Sequence, residues 1–164
     1  MSETVLPAAP APAPSAVRDP RRALVAAGAV AAVLLLQLLA SLLESVVRGS
    51  QDLYVGGYLV PQLFVNILPT AVGVFLLLWL WPVQAGERGL LVLAKGLLAA
   101  LAGCVVATLV GLVYVAITYG LRFSELGALS YNPFDGFASS VLGLAPLVML
   151  VVVVQWVLSR GARL

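Results

Sequence analysis

Few residues in this chain have types and spacings that could do chemistry, and the sharpest set is a polar stripe in its first apolar stretch. Gln37, Ser41, Glu44 and Arg48 recur at intervals of four, three and four, which puts them on one face of a helix. An acid within a membrane helix is by default a proton- or cation-responsive group. Depth argues for a structural role instead. At ~1.5 Å per residue Glu44 lies about 33 Å of helix beyond Arg22, at the edge of a hydrocarbon layer, where it can pair with Arg48 one turn on. The stripe therefore reads first as an ion pair and second as a ligand path. Asn66 stands three residues before Pro69. An amide there either binds a solute beside a broken helix or bonds across to a neighbouring helix, and the second is the commoner use.

Beyond these residues the chemistry is thin. The chain has no His, which removes the commonest general base and the commonest metal ligand together. Cys104 is its single cysteine, so it can form neither an internal disulfide nor a thiolate cluster, and it reads as a small packing residue. A net charge of +2, dispersed along the chain, does not suggest a nucleic-acid surface. The expectation is a protein that is not an enzyme, with no cofactor, no metal site and no nucleic-acid partner.

The elements that position these residues follow from composition. Hydrophobic residues make up 62% of the chain and charged ones 10%, against roughly 45–50% and 25% in soluble domains. A soluble fold of this size leaves too much surface in water to hide that apolar fraction. Four stretches lack any Asp, Glu, Lys or Arg: Ala23–Leu43, Leu53–Gly86, Gly96–Leu121 and Gly136–Ser159. Each reaches the roughly 20 residues that a spanning helix needs. Barrel strands would alternate in polarity, and Val148–Val154 does not. The fold is an all-α integral membrane protein, a bundle of four transmembrane helices at about 23–47, 59–81, 92–119 and 137–158. The second run exceeds one span, so Leu53–Leu59, with Gly56-Gly57 between Tyr54 and Tyr58, is assigned to the outer interface, and Pro82 closes the helix. Lys95 is expected to snorkel to the cytoplasmic headgroups. The first run is too long for a signal-peptide core, lies behind Met1–Arg22 and lacks a small-x-small cleavage site, so it reads as an uncleaved helix.

Orientation follows from the basic residues, which are held on the cytoplasmic side. With the N-terminus inside, the inner segments hold Arg18, Arg21, Arg22, Arg88, Lys95, Arg160 and Arg163, and the outer loops hold Arg48 and Arg122. Both termini are therefore placed in the cytoplasm, at a plasma (inner) membrane. Trp79, Trp81 and Trp156 fall at inner helix ends, and Tyr54, Tyr58, Tyr114, Tyr119 and Tyr131 toward the outer face, as interfacial rings prefer. Segment 1–17, with Pro7, Pro10, Pro12 and Pro14 among alanines, reads as a disordered cytoplasmic tail ahead of a domain at 18–164. The Arg18–Arg22 cluster reads as an anchor touching anionic lipid.

Two parallel hairpin repeats are a further expectation. Pro69 precedes Trp79 by ten residues and Pro146 precedes Trp156 by ten. Each proline frees a carbonyl four residues earlier, at Val65 and Leu142, near mid-bilayer. Small residues promise close helix packing: Gly103, Ala107 and Gly111 on one ridge, Ser139 and Gly143 on the last helix, and Ala27, Gly28, Ala31 and Ala32 on the first. The polar segment Arg122–Asp135 reads equally as a docking loop or an interfacial cap. Missing chemistry and packing ridges favour a non-catalytic accessory, assembly or scaffold subunit of a membrane complex, in lipid with other subunits or as a homo-oligomer. The alternative is a small oligomeric transporter or channel with its site near Pro69 and Pro146.

Overall fold

The computed structural model describes residues 20–48, 59–120 and 133–161. The tail 1–17, the Gly56-Gly57 pair with its tyrosines and the loop residues 122–132 lie outside them. Among the described residues every element is helical, with no strands, and four helices are long and apolar enough to cross a membrane. They are α1, Pro20–Val47; α2, Leu59–Leu80; α3, Gly89–Tyr119; and α4, Pro133–Gly161.

The helix ends have local causes. Pro20 opens α1, where a missing N–H costs nothing. α2 stops at Trp81 (φ −129°, ψ 72°), because the residue before Pro82 is pushed out of the helical region. α3 ends at Gly120, whose φ of 64° and N–H bond to the Ala116 carbonyl make a left-handed cap that glycine enters without strain. Within α2, Gln62–Ile67 forms a π-helical turn, and the Leu68 N–H reaches back to the Leu63 carbonyl. Pro69, next in the chain, cannot donate to Val65, and a wide turn absorbs the break. α4 runs as α-helix through Pro146, so the two prolines act differently.

α3 packs against both α2 and α4, while α1 rests mainly on α2 and more lightly on α4. Three glycine contacts set the tightest approaches. A Cβ on Gly73 would stand 2.5 Å from the Ala102 carbonyl oxygen, and one on Gly103 would stand 3.0 Å from that of Thr70. A Cβ on Gly96 would stand 2.9 Å from the Met149 Cα. Gly103 was visible in the sequence as part of a ridge. Gly73, which packs against it from α2, and Gly96, which packs against Met149 of α4, were not.

We call the end with Pro20, the α2–α3 turn and Gly161 proximal, and the other distal. Burial is one-sided. The buried hydrophobic side chains of α1 run from Ala23 to Leu38, of α2 from Ile67 to Leu78, of α3 from Val92 to Cys104 and of α4 from Leu144 to Val152. Beyond those limits toward the distal end, no described residue is fully buried. Among the described residues the bundle is packed solid in its proximal half and more openly in its distal half.

Candidate functional site

The open half holds a cleft of about 590 Å³ to which all four helices contribute. Its polar lining is Gln37 and Ser41 from α1, Gln62, Asn66 and Thr70 from α2, Thr108 from α3 and Ser140 from α4. Leu38, Ile67, Leu144 and Leu147 supply apolar wall, and Cys104 lies at the proximal limit. Thr70 stands about 15 Å of helix from Leu80, which puts the cleft floor at about half the ~30 Å that a spanning helix must cross. Among the described residues the lining contains amides, alcohols, one thiol and hydrocarbon, and no charged side chain.

The π-turn carries two of the amides. Gln62 and Asn66 are four residues apart on it, and Asn66 Nδ2 donates to Gln62 Oε1, which fixes the two side chains relative to each other. The hydroxyls of Ser41 and Ser140 donate to the carbonyls of Leu38 and Gly136 at 2.8 and 2.7 Å. These bonds use the hydroxyl hydrogens and leave oxygen lone pairs as acceptors.

Of the residues read from sequence, the structure brings Gln37, Ser41 and Asn66 together at this cleft, with Ala107, Gly111 and Gly143 beside them. Gly111 also sits against α2, since a Cβ there would meet Val65 at 3.7 Å, whereas one on Gly143 would meet nothing within 4 Å. Ser139 turns away from the cleft and bonds the Gly136 carbonyl at 2.9 Å. Glu44 and Arg48 pair with each other, exposed at the distal end of α1 and outside the lining. Sequence reasoning missed Gln62, Thr70, Thr108 and Ser140. Gln62 carried a usable signal, a second amide one turn before Asn66. The hydroxyls carried none, because Ser and Thr are common in membrane helices.

No family model, curated protein or solved structure matches the chain.

Beneath the cleft the proximal end is clamped. Lys95 is 2% exposed, and its Nζ donates to Glu87 Oε1 at 2.5 Å and to the Pro82 carbonyl at 2.8 Å. The Trp81 ring lies 5.6 Å from the same ammonium. Lys95 thus does not snorkel. It falls in the second turn of α3 on the inward face, and the turn connecting α2 to α3 folds back over it with better acceptors than a headgroup. From α4, Arg160 donates Nε to the Ala85 carbonyl at 2.9 Å and a terminal nitrogen to the Glu87 carbonyl at 3.1 Å. Its guanidinium lies 3.8 Å over the Trp156 ring, a cation–π stack. Gln155 Nε2 donates to the Arg22 carbonyl at 2.7 Å and ties α4 to the start of α1. Among the described residues no group of three or more His, Cys, Asp or Glu could hold a metal ion.

Proposed function

We propose that this chain is a small transporter or channel of the plasma membrane, with the distal cleft as its solute site and both termini in the cytoplasm. The observation that carries it is the convergence of seven uncharged polar side chains from all four helices on one cleft that ends at mid-membrane. Polar groups at that depth are expensive unless they meet partners or water, so a cleft lined with them supports passage or binding of something polar. The solid packing beneath it supports a site closed on one side, as alternating access requires.

Orientation rests on charge. Among the described basic residues Arg21, Arg22, Arg88, Lys95 and Arg160 belong to the proximal end and Arg48 to the distal end, which supports a cytoplasmic proximal face. In this reading the cleft faces outward. Parallel repeats α1–α2 and α3–α4 belong to the same proposal, with Pro69 next in sequence to the lining residue Thr70 and Pro146 next to Leu147. Among the described residues the lining is amide, hydroxyl, thiol and hydrocarbon, groups suited to binding a polar solute, and we take the site to bind rather than to catalyse. The accessory or scaffold role that the sequence favoured rests on missing chemistry and small-residue packing ridges, and the cleft shifts the weight to a solute site.

The test is thiol accessibility in intact cells. In a Cys104→Ala background, Ser41→Cys and Thr108→Cys should react with a small impermeant methanethiosulfonate added outside. Leu36→Cys and Val105→Cys, on exposed apolar faces, should stay in lipid and react at least about tenfold more slowly, because thiolate forms only where water reaches. Equal rates at all four positions would remove the cleft as an aqueous site.

A further inference from the structure

Resting on that reading, we infer that the cleft selects small neutral solutes that both donate and accept hydrogen bonds, of the amide and polyol class, and turns away ions. The first ground is charge. Among the described residues no side chain lining the cleft is an Asp, Glu, Lys or Arg. The nearest such groups on α1, Glu44 and Arg48, neutralise each other outside it. An ion entering the cleft would lose water without gaining a counter-charge, and that desolvation is far costlier than for a neutral polar molecule.

The second ground is the kind of polar group present. Carboxamides carry donor and acceptor on one planar head. Asn66 spends one N–H on Gln62 Oε1. That leaves the Asn66 carbonyl as an acceptor and the Gln62 amide nitrogen as a donor on adjacent turns. Gln37, across the cleft on α1, adds a third amide head, and the Ser41 and Ser140 oxygens add acceptors. A solute bearing both N–H or O–H groups and a carbonyl or hydroxyl oxygen can exchange its water bonds for these one for one. Leu38, Ile67, Leu144 and Leu147 give the apolar remainder of the surface, which suits a small uncharged molecule and offers an ion nothing. The volume of about 590 Å³ lies in the ~300–1,000 Å³ range of small-molecule sites.

Urea and guanidinium are nearly equal in size and shape and differ by one charge, which makes them the deciding probes, with glycerol as the hydroxyl case. In proteoliposomes of the full chain, urea and glycerol should enter at least about tenfold faster than in protein-free vesicles, and guanidinium no faster. Asn66→Leu and Gln62→Leu should each cut urea entry by about fivefold or more, while Leu36→Ala, on the lipid face, should leave it unchanged. Guanidinium entering as fast as urea, or urea entry untouched by both amide substitutions, overturns the inference. Neutral entry at the protein-free rate overturns it as well. If the Ser41→Cys and Thr108→Cys thiols are reached from outside in that case, the cleft stands and only the solute class falls. If they are not reached, the site itself falls.

Discussion

Lys95 and Glu87 meet across the turn between α2 and α3, with Nζ 2.5 Å from Oε1 and the two side chains 3% and 12% exposed. The same ammonium donates to the Pro82 carbonyl, so one cation fixes both the start and the end of the turn. Burying an ion pair brings little net stability over an apolar pair of the same shape, because desolvation offsets the attraction. What such a pair does well is fix one arrangement. Here the arrangement is the closed proximal end beneath the cleft.

Lys95→Met should therefore be worse than removing both charges. It strands a carboxylate whose second oxygen, Oε2, is already buried without a partner, at a cost of about 3–5 kcal/mol. Lys95→Met with Glu87→Gln removes the stranded charge and should recover most of the loss. Thermal unfolding of the purified variants in micelles checks the order. A double variant less stable than Lys95→Met alone would show that the pair contributes by attraction rather than by fixing the turn.

Arg160→Lys should loosen the same turn while keeping the charge. The guanidinium reaches two carbonyls at once and stacks on Trp156, and an ammonium cannot hold a planar fork in that geometry. Limited proteolysis from the proximal side should cut near Ala85 and Glu87 faster in the variant. Unchanged cutting would mean that Lys95 alone secures the turn.

The helices themselves were legible because their cause is local. Four uncharged runs, Pro82, and the aromatic and basic flanks determine where α2 ends and where each span lies. Gln37, Ser41 and Asn66 were also visible, since a polar residue in an apolar run stands out. The cleft joining them was not. It exists because the distal halves of four helices fail to close, a property of helix crossing fixed at Gly73, Gly96 and Gly103. Those glycines look like any others in a chain rich in small residues. Lys95 was misread for a related reason. Snorkelling is the expectation for a lysine with only lipid around it, and its partner Glu87 is brought close by a turn whose shape the spacing does not reveal.

The glycine contacts make opposite predictions for one substitution. In Gly73→Ala the new methyl would meet the Ala102 carbonyl oxygen at 2.5 Å, so α2 and α3 must separate, at about 1–3 kcal/mol. In Gly28→Ala it would meet nothing within 4 Å, and better helix propensity should leave stability unchanged or raise it by up to about 1 kcal/mol. Unfolding of the two variants side by side is the check. A loss in Gly28→Ala equal to that in Gly73→Ala would mean that α1 is packed as tightly as α3.

Glu44 and Gln37 separate the two readings of the α1 stripe. Glu44 is 61% exposed at its side chain and pairs with Arg48 one turn on, a contact worth about 0.2–0.5 kcal/mol at a solvated surface. It does not line the cleft, whereas Gln37 on the same face does. Glu44→Gln should leave thermal stability and urea entry as they are. Gln37→Leu should leave stability unchanged, since Gln37 is exposed, and lower urea entry severalfold because it removes a donor and an acceptor from the cleft wall. If Glu44→Gln abolished entry and Gln37→Leu did not, the working group would be the carboxylate at the membrane edge. Selection would then act on cations at the distal rim and not on neutral solutes within the bundle.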